Sequence, residues 1–471
     1  MRSFVNRFFQ LTENRTTVRT EVLAGVTTFL TMAYIIFVQP AVLSGAMLGK
    51  TTGMDFGAVT SATCISAALA TALMAFYSRY PIAQAPGMGE NFFFVLSAVP
   101  AAAAAGFANA WQVALGTVFI SGVLFLLLSL AGLRELIFNS ISPSMKSAIA
   151  AGIGLFIAFI GLQNAGLILK DPGTGVRLNA HFGSPDLLVF FFGLLVTAVL
   201  QARRVRCSIL WGIVGATGLT VGLKLAFADG QAGRLSYFAD SMLAQRFQFA
   251  TGVVSIPPSL SPTLLKMDLG HALSPRMLPF VFVFLFMLVF DAIGTLIGVC
   301  EQAGFIKDNK LPRAKQAMLS DAIGTVAGAA LGTSTVTSFI ESAAGVEQGG
   351  RTGLTGIVVA GLFLLALLFS PIIHMIGSYP PITAPALVIV GAMMIQNVAK
   401  IDWTDYSETI PAFLTLIGIP LSYSIADGLA LGFISYPIIK FFSGKGREIG
   451  WLTYVLAAVL VLYFVFVRGR M

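Results

Sequence analysis

Five acidic residues stand where a charge is costly. Glu90, Asp291, Asp321, Glu341 and Asp427 lie within or beside long uncharged runs, and Glu301 closes another. A charge at the centre of a bilayer costs about 2.5–3.5 kcal/mol on insertion scales, so an intramembrane acid points to function. Asp291 follows the uncharged stretch Met277–Phe290, and Thr295 and Gly298 at i+4 and i+7 share its helix face. That face is small and polar and can meet water or a ligand. Glu341 sits in GTSTVTSFIESAAG (332–345), where consecutive hydroxyl residues favour an extended stretch before a half-helix. Thr337 or Ser338 is expected to cap that half-helix, with Glu341 one turn in. Glu90 belongs to APGMGENFFF (85–94), where Pro86, Gly87 and Gly89 make a backbone turn and a helix start. There it serves equally as a ligand group or as a partner for the helix dipole. Asp321, six residues after Lys315, and Asp427, at a break, read as structural or near loop ends. Phe92, Phe93, Phe290 and Phe339 neighbour the polar breaks, so a flat aromatic ligand has rings to stack on.

The elements that position these residues are membrane helices. Only 11% of 471 residues are charged, against roughly 25% in an ordinary soluble chain, and 56% are hydrophobic. Candidate spans, from the apolar runs, fall at 21–45, 56–78, 82–104, 110–132, 143–168, 186–203, 207–228, 278–300, 314–331, 333–348, 353–376, 380–399, 408–423, 424–441 and 450–467, of which 333–348 is short and not a plain span. The chain therefore reads as an all-α polytopic membrane protein. Disorder, a secreted disulfide scaffold and nucleic-acid binding are excluded as readings.

The net charge of +8 marks topology. Arg2, Arg7, Arg15 and Arg19 precede the first run, which places the N-terminus in the cytoplasm. Alternation then puts Arg134, Lys146, Arg203–Arg206, Lys307, Lys310, Arg313, Lys315, Arg351, Lys400, Lys440, Lys445 and Arg447 on the same side. Arg351 reads as an orientation charge. The connection 229–277 falls outside. Arg468 and Arg470 conflict with this scheme if 450–467 crosses. Either 408–441 makes one broken passage, or the last run lies along the interface.

Two halves are visible, each with a small-residue-rich break in third place, near 82–104 and 333–348. Paired interrupted helices at corresponding places point to the midplane site of a transporter, and an odd number of spans per half makes the repeats inverted. DAIGT occurs at 291–295 and 321–325, and the GxxxG spacing after each reads as close helix packing.

Other chemistries find no support. Cys64, Cys207 and Cys300 show no CxxC or ligand spacing, and the three histidines form no metal set. His374 reads as a structural histidine. GMGENF lacks the strand–turn–helix setting of a dinucleotide fingerprint, and no Walker A, HExxH or GxSxG motif occurs. No catalytic residue, metal or cofactor is assigned, and the chain is not read as an enzyme.

The motifs TEVLAGVTTFLTMAYIIFVQP (20–40), APGMGENFFF (85–94), VFDAIGTLIGV (289–299), GTSTVTSFIESAAGVEQGGRTGLT (332–355), TAPALVIVGAMM (383–394) and PAFLTLIGIPLSYSIADGLALGF (411–433) resemble the nucleobase/cation symporter-2 family, in its AzgA-like adenine/guanine/hypoxanthine permease branch. The resemblance covers nearly the whole chain. It implies a uracil-transporter-like fold of about fourteen segments in two inverted seven-segment repeats, with short strands in broken segments 3 and 10. A core domain would take 1–132 and 278–376, and a gate domain 133–228 and 377–471, with 229–277 as an extracytoplasmic connection. Substrate would lie between segments 3 and 10, held by acids at Asp291 and Glu341. Gly87, Gly89, Glu90, Asn91 and Phe92 of segment 3 would complete the wall, with Thr27, Thr28 and Thr31 of segment 1. Thr337, Ser338, Phe339 and Ile340 of segment 10 join them, as do Phe290 and Thr295 of segment 8. The branch commonly has an apolar residue where this chain has Glu90.

A purine edge suits such a site, since carboxylates accept ring N–H groups and backbone N–H groups donate to ring nitrogen or carbonyl. Burial favours the protonated form of a carboxyl group, so an acid in such a cavity can carry a proton across. Asp291, Glu341 and Glu90 are the coupling candidates. The expectation is a proton symporter importing purine nucleobases across the plasma (inner) membrane by elevator-like movement, with the bilayer as surroundings and a homodimer as a further partner. Alternatives are a same-fold carrier of uracil or xanthine, or sodium coupling. An anion carrier is expected to lack an acid at its site, a channel does not need paired acids, and an enzyme needs a nucleophile–base pair or metal cluster.

Overall fold

The computed structural model describes residues 2–48, 51–131, 142–226, 241–305, 311–451, 453–454, 457–458 and 460–461. Arg134, Lys307, Lys310, Arg468 and Arg470 lie outside these residues, as does most of 450–467. The side chains of Arg2, Phe290 and Glu301 also lie outside the description.

Among the described residues the chain is helical, apart from two pairs of short strands. Nine helices there are long and apolar enough to cross a membrane. Segments 1 and 2 are Val18–Leu43 and Phe56–Ser78, segment 4 is Ala110–Ala131, and segments 5, 6 and 7 are Pro143–Asn164, Pro185–Ala202 and Ser208–Ala226. Segment 8 is Leu278–Gln302 and segment 9 Ala314–Leu331. Segments 11 and 12 are Gly353–Gly377 and Pro380–Lys400. Segments 3 and 10 are each a strand followed by a helix: Gln84–Pro86 before Met88–Ala104, and Val336–Ser338 before Ser342–Glu347.

Local chemistry sets the helix starts. Asp55, Ser142, Ser184, Thr352 and Asp405 each accept a backbone N–H of the first turn through the side chain. Proline occupies the first helical turn of segments 5, 6 and 12. Gly332 ends segment 9 at φ +100, and a side chain there would overlap Thr263.

Segments 13 and 14 are separate helices, Tyr406–Leu421 and Ile425–Phe442, joined by a three-residue turn and packed side by side. The single broken passage through 408–441 is thus ruled out. A Cβ on Gly428 would meet Ile419, and one on Gly418 would meet Gly428, so the two helices touch almost at backbone distance. Segment 1 is not a plain span. It divides into Val18–Met32 and Ile35–Leu43, and Thr31 bonds back to the carbonyls of Thr27 at 3.1 Å and Thr28 at 2.8 Å beside the break. A hairpin unforeseen in the sequence, Ile168–Asp171 with Gly175–Leu178, follows segment 5. Its turn N–H groups, from Thr174 and Gly173, hold the Asp171 carboxyl below the usual carboxylate range.

The helices pack in two groups. Segments 1, 2, 4, 8, 9 and 11 pack on one another around the two strand–helix segments, and segments 5, 6, 7, 12, 13 and 14 pack on one another. Contacts between the groups are fewer; they include segments 3 and 5, 1 and 7, and 11 and 12, and the ring of Phe286 in segment 8 lies 6.0 Å from that of Phe433 in segment 14.

At one end of the helices, Glu21 is fully buried in the first turn of segment 1. Its carboxylate accepts the backbone N–H groups of Arg351 at 2.9 Å, Thr352 at 3.2 Å and Thr355 at 3.3 Å, and the Thr355 hydroxyl at 2.6 Å. It thus caps segment 11 from another helix. Arg351 does more than orient the chain: its guanidinium donates to the carbonyl of Val346 in the last turn of the segment 10 helix and to that of Gly350 just beyond it. At the same end, buried Lys440 pairs with Glu408 at 2.9 Å and Glu448 at 3.3 Å, and Lys445 pairs with Asp405 at 2.7 Å.

Candidate functional site

The site grows from the pairing of two strands far apart in sequence. Gln84 faces Ser338, Ala85 faces Thr337 and Pro86 faces Val336, antiparallel. Backbone at membrane depth must be satisfied within the protein. Here helix threonines do this on the outer edges. Thr71 Oγ1 accepts from the Gln84 N–H at 2.8 Å and donates to its carbonyl at 3.1 Å. Thr325 Oγ1 treats Val336 likewise, donating at 2.8 Å and accepting at 3.3 Å. The Gly87 N–H donates to the Thr335 carbonyl at 3.1 Å and the Phe339 N–H to Ala83 at 2.9 Å, which extends the pair by one bond at each end.

Side chains alternate across this small sheet. On one face Gln84 Nε2 and Ser338 Oγ both donate to Asp321 Oδ1, the latter at 2.8 Å. Asp321 is buried mid-helix in segment 9, so it has the structural role expected but not the loop-end position. Thr337, one position before Ser338, takes the other face, where its buried hydroxyl has no hydrogen-bond partner among the described residues and lies near Asp291. The Asp291 carboxyl is within electrostatic reach of Glu341, Glu90 and Tyr34, and of Asp321 as well. Tyr34 Oη donates to Glu341 Oε1 at 2.7 Å, and Thr31 Oγ1 lies 3.5 Å from the Glu341 carbonyl. Asp291, Glu341, Glu90 and the Tyr34 phenol therefore lie near one another where two half-helices begin.

The sequence-predicted residues divide accordingly. Asp291, Glu341, Glu90, Thr337, Thr31 and Gly87 come together. Glu90 is buried and folds over Gly87, where a side chain would collide with its carboxylate. Glu341 stands at the N-cap position, before the helix rather than one turn in, and no side chain caps that end. The expected cap by Thr337 or Ser338 fails because both lie in the strand. Ser338 turns to Asp321, away from Asp291. Asn91 joins a second network, bonded to Gln39 and Ser334, while Gln39 Nε2 donates to Thr333 at 2.8 Å. Phe92 is fully buried, Phe339 nearly so, and Ile340 is half exposed beside Gly298. Thr27 offers its carbonyl to Thr31, and Thr28 packs on Gly345. Thr295 is partly buried one turn after Asp291.

The repeated DAIGT splits in meaning. Gly324 and Gly328 pack closely, against Ala70 and Val336. Gly294 has open space beside it, so the first copy leaves room next to Asp291. His374 packs edge-on against Phe56 at 4.9 Å, as a structural histidine does. Sequence reasoning missed Tyr34, Gln39, Gln84, Thr71, Thr325 and Glu21. A polar side chain inside an apolar run was the available signal for Gln39 and Gln84.

Broken helices meeting at paired strands, with acids at the junction, define a membrane transporter of the uracil-transporter-like fold with two inverted seven-segment repeats. Solved structures share it. The transmembrane domain of the cyanobacterial bicarbonate transporter BicA superposes with a TM-score of 0.60 at 15% identity, covering 88% of this chain and 97% of that one. The murine anion transporter Slc26a9 gives 0.61 at 11%, covering 94% and 72%. Residues 19–431 match the family model described as "Permease family", and the chain belongs to that family. It is 48% identical over 467 residues to a Methanocaldococcus jannaschii chain named only as a permease, covering 99% of each. It is 44% identical over 467 residues to the guanine/hypoxanthine permease PbuG of Bacillus subtilis, covering 98% of this chain and 99% of that one. To the adenine permease AdeP of Escherichia coli it is 38% identical over 467 residues, covering 99% and 97%. It is thus a multi-pass membrane permease.

Proposed function

We propose that the chain is a secondary active transporter that imports purine nucleobases (adenine, guanine or hypoxanthine) by proton symport. The observation that carries this reading is the proximity of Asp291, Glu341 and Glu90 beside the paired strands, with Tyr34 bonded to Glu341. Two carboxylates can accept ring N–H groups of a purine, and half-helix N–H groups that no neighbouring side chain caps can donate to its ring nitrogen or carbonyl. The names of the relatives PbuG and AdeP support the same substrate class. An acid that exchanges a proton as the base binds and leaves supplies the coupling.

The two packing groups correspond in this reading to a core carrying the site and a gate, and the fewer contacts between them favour sliding of one past the other. The charge distribution supports a cytoplasmic N-terminus in the plasma (inner) membrane. The homodimer belongs to the same proposal.

The test is uptake of labelled adenine, guanine, hypoxanthine and uracil by cells lacking purine uptake, across imposed pH and sodium gradients. Purine entry that rises with an inward proton gradient and collapses with an uncoupler is expected. Uptake indifferent to both rejects symport. Sodium dependence, or preference for uracil, favours the alternatives.

A further inference from the structure

Segment 5 approaches the acid site at one point. Gly152 and Gly154 turn toward the helices of their own group. A Cβ on Gly152 would lie 2.8 Å from Ile419 of segment 13, and one on Gly154 would lie 2.5 Å from Met394 of segment 12. Ile153 between them points elsewhere, because successive helical residues diverge by about 100°. Its Cγ2 lies 3.0 Å from the position a Cβ would take on Gly89, in the first turn of the segment 3 helix. Met287 Cε is 3.7 Å from the same point. Met287 stands one helical turn before Asp291, on its face of segment 8. Gly89 itself adjoins Glu90. Ile153 is therefore one side chain of the second helix group that reaches the residues beside the acids, as Phe433 of segment 14 does against Phe286, and it is 7% exposed.

We infer that Ile153 is a specificity-determining residue, an apolar stop that the second helix group sets over the acid site, with Gly89 as the bare surface it rests on. The inference rests on the proposed function for its substrate, a planar purine. A ligand held at its edge by Asp291 and Glu341 would have its far side limited by Ile153. Glycine at 89 leaves room for both.

The test uses the full chain in cells lacking purine uptake. Uptake of labelled hypoxanthine and adenine is measured for the unaltered protein and for Ile153→Ala, Ile153→Val, Gly89→Ala and the pair Gly89→Ala/Ile153→Ala. Purines bearing one added methyl group serve as competitors. A pocket contact of this size governs selection by about 10-fold or more. Ile153→Ala is expected to let methylated purines compete about 10-fold better than they do against the unaltered chain, with Ile153→Val intermediate. Gly89→Ala is expected to raise KM, and removal of the isoleucine in the pair to restore it. A purely structural role would change the amount or melting temperature of the protein and leave the competition order alone. Competition by Ile153→Val and Ile153→Ala indistinguishable from the unaltered chain, with labelled purine still entering, overturns the inference alone. No purine entry through the unaltered chain overturns the proposed function and this inference with it.

Discussion

The Tyr34 phenol donates to Glu341 Oε1 at 2.7 Å and ties the break in segment 1 to the start of the segment 10 helix. The bond joins an uncharged residue of the first segment to an acid contributed by the opposite repeat. Tyr34→Phe removes the donor and little volume. Hydrogen bonds to charged groups are worth about 1.5–3 kcal/mol, so the melting temperature in detergent should fall by a few degrees. KM for uptake should rise as well, because Glu341 loses the group that orients it. Unchanged KM would show that the bond does not shape the site.

Asp291→Asn and Glu341→Gln keep shape and lose charge. Each replaces an acceptor-only group with one that also donates, so a purine N–H meets an N–H. Uptake should fall at least about 10-fold in each variant, by the same charged-bond magnitude. Normal uptake by both would remove them from the site.

Asp321 separates two substitutions. Asp321→Ala leaves the Gln84 amide and the Ser338 hydroxyl buried without their acceptor. Each orphaned group costs about 1–3 kcal/mol, so folded yield should drop sharply. Asp321→Asn retains an acceptor oxygen, and its amide can donate to Gln84 Oε1, which lacks a partner. That variant should melt near the unaltered protein. Equal loss in both would refute the hydrogen-bonding role.

Glu21→Ala strips segment 11 of its cap. Three backbone N–H groups lose their acceptor in a buried place. A loss of about 2–3 kcal/mol is expected, read as a fall of several degrees in melting temperature. A full melting temperature in Glu21→Ala would mean that water takes over the cap.

Asp405 links pH to stability. Lys445, then Ser407, holds its carboxyl below the ordinary carboxylate range. A group whose folded value is depressed contributes stability above its unfolded value of about 3.9 and loses it as pH falls through the folded value. The melting-temperature advantage of the unaltered protein over Asp405→Asn should therefore be constant from neutral pH to about 5 and shrink below about 4. An advantage that grows on acidification would contradict the sign.

Much of this could be read in the residues. Asp291 and Glu341 announced themselves because a charge inside an apolar run has few structural reasons to exist. Pro86, Gly87 and the run of threonines around Thr335 marked the two breaks. Tyr34 and Gln84 stayed hidden, since neither carries a charge and their partners are hundreds of positions away. Glu21 was masked by the basic, polar stretch before it. The break at Ala33–Tyr34 has no proline or glycine; the Thr31 back-bonds to Thr27 and Thr28 lie beside it, and a threonine in an apolar run does not announce that by itself. The turn between segments 13 and 14 was visible as Pro420 and Asp427–Gly428. Whether it divided one passage or joined two depended on the Gly418–Gly428 contact, which no local pattern encodes.

The strand pair also bears on how the protein is made. Gln84 and Ser338 are 254 positions apart, so the ribosome delivers the first strand long before the second. Until segment 10 emerges, the polar backbone around Gln84 waits in or beside the bilayer without its partner strand. Contacts of such separation form late and slowly. A nascent or truncated chain that stops short of segment 10 lacks the second strand, so Gln84 and its neighbours have no partner strand until residues 336–338 are made.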